Sequence, residues 1–126
     1  MSDWTPEELD AIGNADELQI SSVRPDGTLR KYVTIWTARS GDDLYVRTAY
    51  GPGARWFVHA KESGIGRIRA GGIERDVTFA EAAPDVQDAI DAAYTDKYSR
   101  YGARVVTTVV GEQVHALTIR LVPREA

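Results

Sequence analysis

Apolar and polar positions alternate with a period of two along several short stretches and recur at spacings of three and four along others, which separates strands from helices. Residues 44 to 48 form the clearest strand, with Leu44, Val46 and Thr48 on one side and Tyr45 and Arg47 on the other. From Glu17 to Arg24, Leu18, Ile20 and Ser22 alternate with Gln19, Ser21 and Val23. Pro25-Asp26-Gly27 then predicts a turn into a second strand, Leu29 to Arg39, giving a hairpin. In that second strand Val33 and Ile35 oppose Tyr32, Thr34 and Trp36, so both faces are expected to meet protein or ligand. Ile65 to Ala70 and Ile73 to Ala82 flank Gly71-Gly72, a tight-hairpin signal. Arg104 to Gly111, rich in β-branched residues, reads as a strand or an extended loop. Val114 to Val122 alternates again and predicts the last strand, closed by Pro123.

Three helices are predicted between these strands. Thr5-Pro6-Glu7-Glu8 has an N-cap residue, a proline at the first helical position and a glutamate three residues after the cap, with Gly13 as the stop. A short helix starts near Ala54 and ends at Gly64. From Pro84 the period changes: Val86, Ile90, Ala93, Tyr94, Tyr98 and Tyr101 form one apolar stripe opposite an acidic face, and Gly102 follows. The three tyrosines of that stripe suit core or dimer contacts. Six or seven strands joined by antiparallel hairpins, with helices inserted, predict a mainly β fold closed as an antiparallel barrel with peripheral helices.

Composition narrows this picture. A chain of 126 residues with 43% hydrophobic content predicts one domain spanning residues 1–126, with a single core. The formal net charge is −4, which disfavours nucleic acid and anionic membrane surfaces as partners. Acidic residues crowd the first seventeen positions and residues 81 to 96, whereas Arg24, Arg30, Lys31, Arg39, Arg47, Arg55, Lys61, Arg67, Arg69 and Arg75 fill the middle. A local basic site in an acidic protein suits a small anionic ligand better than a polymer. Without cysteine the chain has no disulfide, thiolate metal site or cysteine nucleophile. No apolar run approaches a membrane span and the N-terminus is acidic, so a cytoplasmic protein is expected.

Candidate chemistry concentrates between Asp43 and Gly72, which reads as strand, glycine-bracketed loop, short helix and strand. Tyr50-Gly51-Pro52-Gly53 turns sharply, and a helix beginning near Ala54 points unpaired N–H groups and its positive dipole end toward the strand exit. Arg47, Thr48 and Arg55, with the amides of Gly53 and Ala54, are the candidate phosphate cradle; the alternative is a surface crossover with solvated arginines. Trp36, Trp56, Tyr45 and Tyr50 are the nearby aromatics, either core residues or a platform for a planar ligand. His59 shares a helical face with Arg55, but no nucleophile and carboxylate accompany it. His59 and His115 lack ligand spacing, so no metal is expected. Gly64-Ile65-Gly66 is not a dinucleotide fingerprint, because Arg69 stands where a third glycine is needed.

The segment LRKYVTIWTARSGDDLYVRTAYGPGARWFVHAKESGIGRIRAGG resembles the central part of flavin- and deazaflavin-binding split-barrel proteins, most closely an uncharacterised bacterial branch, and the likeness runs from Trp4 to Arg124. In that superfamily a basic residue two before a valine on the second strand, and a Ser/Thr-basic pair after the third, hold the cofactor phosphate. Lys31 in KYV matches the former, and Thr48 and Arg55 in TAYGPGAR are nearest to the latter. The loop lacks the serine-arginine-lysine run of the pyridoxamine-phosphate oxidase branch, and RWFVHAKES stands where the deazaflavin nitroreductases carry a Trp-Tyr-Asn-Leu helix. The resemblance implies an antiparallel split barrel, a homodimer, and FMN or a deazaflavin coenzyme with its ring at the subunit boundary. The cofactor-binding residues expected are Lys31, Trp36, Arg47, Thr48, Tyr50, Gly53, Ala54, Arg55 and Trp56. The expected activity is hydride transfer to or from a small organic substrate. The alternatives are a non-catalytic dimeric module for a small anion and a ligand-free scaffold; convergence of Lys31, Thr48 and Arg55 on one pocket would favour a phosphate.

Overall fold

The computed structural model describes residues 4–49, 51 and 53–124. Strands Leu18–Ser22 (β1), Val33–Ile35 (β2), Thr37–Ser40 (β3), Asp43–Arg47 (β4), Ile65–Ala70 (β5), Ile73–Glu81 (β6) and Thr118–Pro123 (β7) form one seven-stranded sheet in the order β2-β1-β5-β6-β7-β4-β3. Every pairing is antiparallel. The outermost strands, β2 and β3, are separated in the chain by Trp36 alone, so the two edges meet and the sheet curls into a nearly closed barrel.

The expected continuous strand Leu29 to Arg39 is therefore two strands. β2 pairs Ile35 with Leu18 and Val33 with Ile20, whereas β3 pairs Thr37 with Val46. Trp36, at the change of partner, stacks on Tyr98 with ring centroids 4.0 Å apart and planes 6° from parallel. Within one chain the expectation of two covered faces does not hold on β2, where Val33 and Thr34 are exposed.

The pleat of β4 divides the interior into two cores. Leu44 and Val46 point into the barrel with Leu18, Ile20, Ile68, Val77, Ile119 and Leu121. Tyr45 points outward and packs with Ala38 under helix Gln87–Tyr98, whose Ile90, Tyr94 and Tyr98 are fully buried.

The first two helices match the sequence pattern. In Pro6–Gly13 (α1) the Thr5 hydroxyl accepts from the Glu8 amide at 3.1 Å and the Glu8 carboxylate accepts from the Thr5 amide at 2.9 Å, a complete capping box. Arg55–Ser63 (α2) ends at Gly64 and buries Phe57 and Ala60. Gln87–Tyr98 (α3) is flanked by short 3₁₀ turns at Pro84–Val86 and Ser99–Tyr101. Gly71 and Gly72 both take positive φ, as the two-residue β5–β6 hairpin requires. Gly66 meets a tighter constraint, since an added Cβ would fall 2.0 Å from the Ser21 carbonyl oxygen across the β1–β5 pair.

The C-terminal third departs from the sequence pattern. Arg104 to Gly111 is neither strand nor extended loop: Ala103–Val106 (α4) is a helical turn, and Val106 and Val109 are buried against the second core. The last strand starts only at Thr118, because Glu112–His115 (α5) forms another helical turn that buries Val114. β-Branched residues here pack as caps on α3, and tertiary burial overrides their strand propensity.

Lys97 lies where α3 meets β3, and its ammonium donates to the Thr37 carbonyl at 2.9 Å. Burial, the largest influence, lowers its pKa from 10.5 to about 8, against the opposing pull of Asp16. Between those values the unfolded chain holds a proton that the folded chain lacks, so this group makes stability rise with pH across that window. Lys97→Met is expected to stabilise the fold at neutral pH by about 1–2 kcal/mol once the ammonium's residual exposure is allowed for. The Tyr98 hydroxyl remains 3.2 Å from the same carbonyl. Urea denaturation should show the advantage shrinking toward pH ~10; an advantage that does not shrink would contradict this account of Lys97.

Candidate functional site

The β1–β2 hairpin and α2 face each other across a half-open cleft of about 250 Å3. Ser21, Ser22, Arg24, Arg30, Lys31 and Val33 line one wall, and Arg55, Trp56, His59 and Ala60 the other. The sequence builds both walls locally. Burial of Phe57 and Ala60 fixes the rotation of α2, and Arg55 and His59, one turn apart, then share the face toward the hairpin. On the hairpin the Arg30 amide donates to the Ser22 carbonyl at 3.0 Å, and the Ser21 hydroxyl donates to the Arg30 carbonyl at 2.5 Å. Arg24 donates to the Thr28 hydroxyl at 3.3 Å and to the Leu29 carbonyl at 2.8 Å, which holds it beside the turn.

The cleft gathers four of the seven basic residues that have no carboxylate of a described residue within ion-pair distance; Lys97, Arg104 and Arg124 are the other three. Among the described residues, Arg39, Arg47, Lys61, Arg67, Arg69, Arg75, Arg100 and Arg120 each have a carboxylate within ion-pair distance. Arg24, Arg30, Lys31 and Arg55 have no carboxylate of a described residue at that range, although the chain carries 19 acidic residues. No acidic side chain of a described residue lines the cleft. The Nε of Arg30 is buried without a hydrogen-bond partner among the described residues. A buried guanidinium N–H left open is costly.

A second cleft, of about 260 Å3, is lined by Glu17, Thr34, Ile35, Trp36, Arg47, Ala49, Trp56, Val105, Thr108 and Val109. Trp56 borders both clefts, so a basic compartment adjoins an aromatic and apolar one.

The structure groups the expected site residues only in part. Lys31, Arg55 and Trp56 meet at the first cleft, and Trp36, Arg47 and Trp56 at the second. Thr48 is buried, its hydroxyl donates to the Gly51 carbonyl at 3.1 Å, and it lines neither cleft, so the expected convergence of Lys31, Thr48 and Arg55 is reduced to Lys31 and Arg55. The Ala54 amide, expected to be bare, donates to the Gly51 carbonyl at 3.3 Å, and Gly53 is exposed outside both clefts. Tyr50 lies outside the described residues. Tyr45 is a core residue under α3.

Arg47 is fully buried and its donors are committed to protein groups rather than held ready for a phosphate. Nε donates to the Thr118 hydroxyl at 2.9 Å. One terminal nitrogen bonds the Asp91 carboxylate at 2.5 Å and the Val109 carbonyl at 2.8 Å, and the other the Gln87 side-chain oxygen at 2.8 Å. His115 closes the network from the far side, with Nε2 2.9 Å from Asp91. Burial alone would raise the Asp91 pKa, but hydrogen bonds from His115 and Arg47 outweigh it and hold the carboxyl below its ordinary range.

Asp88, Asp91 and His115 bring ligand-type atoms within 4.8 Å of one another, a grouping not evident from the sequence because His115 sits on α5 and not on a strand. Both Asp91 oxygens are already engaged, and the buried guanidinium carries the positive charge an ion would bring. The cluster therefore functions as a clasp between α3, α5 and the barrel.

Sequence reasoning missed Ser21, Ser22, Arg24, Arg30 and His59 as cleft residues. Part of the signal was available: Arg24 and Arg30 flank one turn, so hairpin pairing returns them to the same end of the ladder.

A seven-stranded, nearly closed antiparallel barrel with peripheral helices is the split-barrel fold of FMN-binding proteins. The chain belongs to the family described as "Uncharacterized protein conserved in bacteria (DUF2255)", whose model matches residues 8–121. No curated protein matches the sequence. Among solved structures, a Listeria innocua protein assigned as a pyridoxamine 5′-phosphate oxidase is similar at 13% identity and TM-score 0.64, covering 94% of this chain and 92% of its own. HutZ, the heme storage protein of Vibrio cholerae, is similar at 13% identity and TM-score 0.63, covering 96% and 90%. An F420 reductase is similar at 18% identity and TM-score 0.55, covering 94% and 92%. A further similar chain, at 14% identity, is a domain-swapped dimer. At these identities the shared feature is the fold, which hosts more than one cofactor chemistry.

The Asp91 clasp has a pH signature. The stability due to its ionised carboxylate is present above the ordinary value of about 4 and is lost as pH falls through the lowered folded-state value. Asp91→Asn is expected to be less stable than the parent at neutral pH and to lose less stability on acidification from about pH 5 to about pH 3. Parallel denaturation midpoints for the two proteins over that range would contradict this.

Proposed function

We propose that this protein binds the phosphate-bearing tail of FMN or a deazaflavin coenzyme in the cleft between the β1–β2 hairpin and α2, and uses the coenzyme in an oxidoreductase reaction on a small organic substrate. The observation that carries the reading is the convergence of Arg24, Arg30, Lys31 and Arg55, none paired with a carboxylate of the described residues, on one cleft of a net-acidic chain. The chemistry of this donor set, three guanidinium groups and one ammonium, fits a phosphate. Lys31 and Arg55 would hold the phosphate from opposite walls. Trp56, bordering both clefts, would stand between the phosphate and a planar ring, and Trp36 would wall the aromatic side. Arg47 acts indirectly, fixing the β4 end and the 106–110 segment that shape the second cleft. When bound, the ring supplies the hydride chemistry, and the chain supplies anchoring, orientation and exclusion of water.

Exclusion of water motivates a homodimer. Val33, Val58 and Val105 are exposed large apolar residues; Val33 and Val105 each line one of the two clefts. A second protomer covering them would close both clefts and bury side chains that the single chain leaves wet. Sedimentation equilibrium at micromolar concentration is expected to give twice the 13.9 kDa chain mass. A monomer at all concentrations would remove this boundary.

The basic cleft is complete without the aromatic one, which favours as second reading a non-catalytic dimeric module for a small anion. Fluorescence titration with FMN and with a deazaflavin coenzyme separates the two. Arg55→Ala is expected to weaken coenzyme binding by about 1.5–3 kcal/mol, the range for hydrogen bonds to charged groups, with the fold unchanged. A parent that binds neither coenzyme but binds phosphate would leave the module reading standing and overturn the oxidoreductase.

A further inference from the structure

The basic cleft does not end at its own mouth. Beyond the hairpin turn it runs into a cavity of about 450 Å3, and Arg24, Arg30 and His59 line both. Lys31 and Arg55 line only the first compartment, and Glu62 and Ser63 only the second. The groove thus carries one pair of cations in its first compartment and another pair, with an imidazole between hairpin and helix, at the passage to the next. Lys31 and Arg55 stand on opposite walls of the first compartment, and Arg24 and Arg30, with no carboxylate of a described residue within ion-pair distance, stand at the passage to the second, too far along the groove for one phosphate to engage all four cations equally. Glu62 sets the far limit, since its carboxylate repels an anion pushed deeper into the second compartment.

We propose that the ligand of this groove carries two anionic groups, a diphosphate rather than a monophosphate: one phosphoryl group between Lys31 and Arg55, the second at the shared wall formed by Arg24, Arg30 and His59. This rests on the reading of the first compartment as a phosphate site and narrows it: FMN, with its single phosphate, would fill only the first subsite, so the ligand class specified is a coenzyme or nucleotide that carries a diphosphate.

The test is calorimetric titration of the full chain with inorganic phosphate and inorganic pyrophosphate at constant ionic strength, for the parent and for Arg30→Gln. The parent is expected to bind pyrophosphate about tenfold or more tighter than phosphate. Arg30→Gln is expected to weaken pyrophosphate about tenfold more than it weakens phosphate, because Arg30 lines both compartments and the second subsite loses one of its two cations. His59→Gln, on α2 and away from the hairpin, carries the same test should Arg30→Gln fail to fold; the same selective loss is expected. Equal weakening of both anions by the variant would reduce the preference to charge screening and overturn the two-site proposal, as would a parent that binds both anions equally well; either result leaves the phosphate site intact. A parent that binds neither anion would overturn the phosphate reading itself.

Discussion

A single buried guanidinium organises the C-terminal half of this protein. Arg47 leaves the end of β4 on the face turned away from the barrel interior, where a charge can survive only if every donor is met. The groups that meet it come from α3, the 106–110 segment and β7, which are distant in sequence. Residues 103 to 117 contain only single helical turns and have little intrinsic reason to adopt one conformation. Their position follows from the Val109 carbonyl on Arg47, the His115–Asp91 contact and the burial of Val106 and Val109 under α3.

The contrast between Arg47 and the cleft cations separates two uses of positive charge in one chain. Where an arginine is to be structural, the fold surrounds it with carboxylate and carbonyl oxygens. In the first compartment of the cleft no carboxylate of a described residue comes within ion-pair distance of the cations, although Asp and Glu outnumber Lys and Arg over the whole sequence by 19 to 15. An acidic exterior with an uncompensated basic recess repels long polyanions at a distance and concentrates field in the recess, which favours a compact anionic ligand.

Much of the fold was legible because local signals agreed with the tertiary outcome. The Thr5–Glu8 capping box, the Gly71-Gly72 hairpin, the alternation of β4 and the change of period at Pro84 each rest on a local geometric requirement that packing did not oppose. Where the reading failed, tertiary contacts decided. The valines of 105 to 110 satisfy a strand's composition as well as a helical cap's, and only the presence of α3 selects the latter. Trp36 looked like one more residue of a continuous strand, since nothing in its neighbours announces that Tyr98 will stack on it. For the site, Lys31, Arg55 and Trp56 were legible as a set. Arg47 was not separable from them, because a buried arginine and a ligand-binding arginine have the same one-letter code and differ only in what surrounds them. Arg24 and Arg30 were visible as basic residues, but their union with α2 is a product of how the helix packs on the hairpin.

The one-residue passage at Trp36 limits how the length of this chain can vary. β2 and β3 belong to opposite edges of the sheet, and each is registered against a different neighbour. Inserting or deleting one residue there would shift one of those registers and turn its inward side chains outward. Length changes would be tolerated better at the Pro25–Thr28 turn, where Gly27 has open space around it, or in the irregular stretch before β7. Additions at the first of these places would extend the rim of the basic cleft, and additions at the second would rebuild the wall of the aromatic one, so the two compartments can be resized independently while the barrel between them stays fixed.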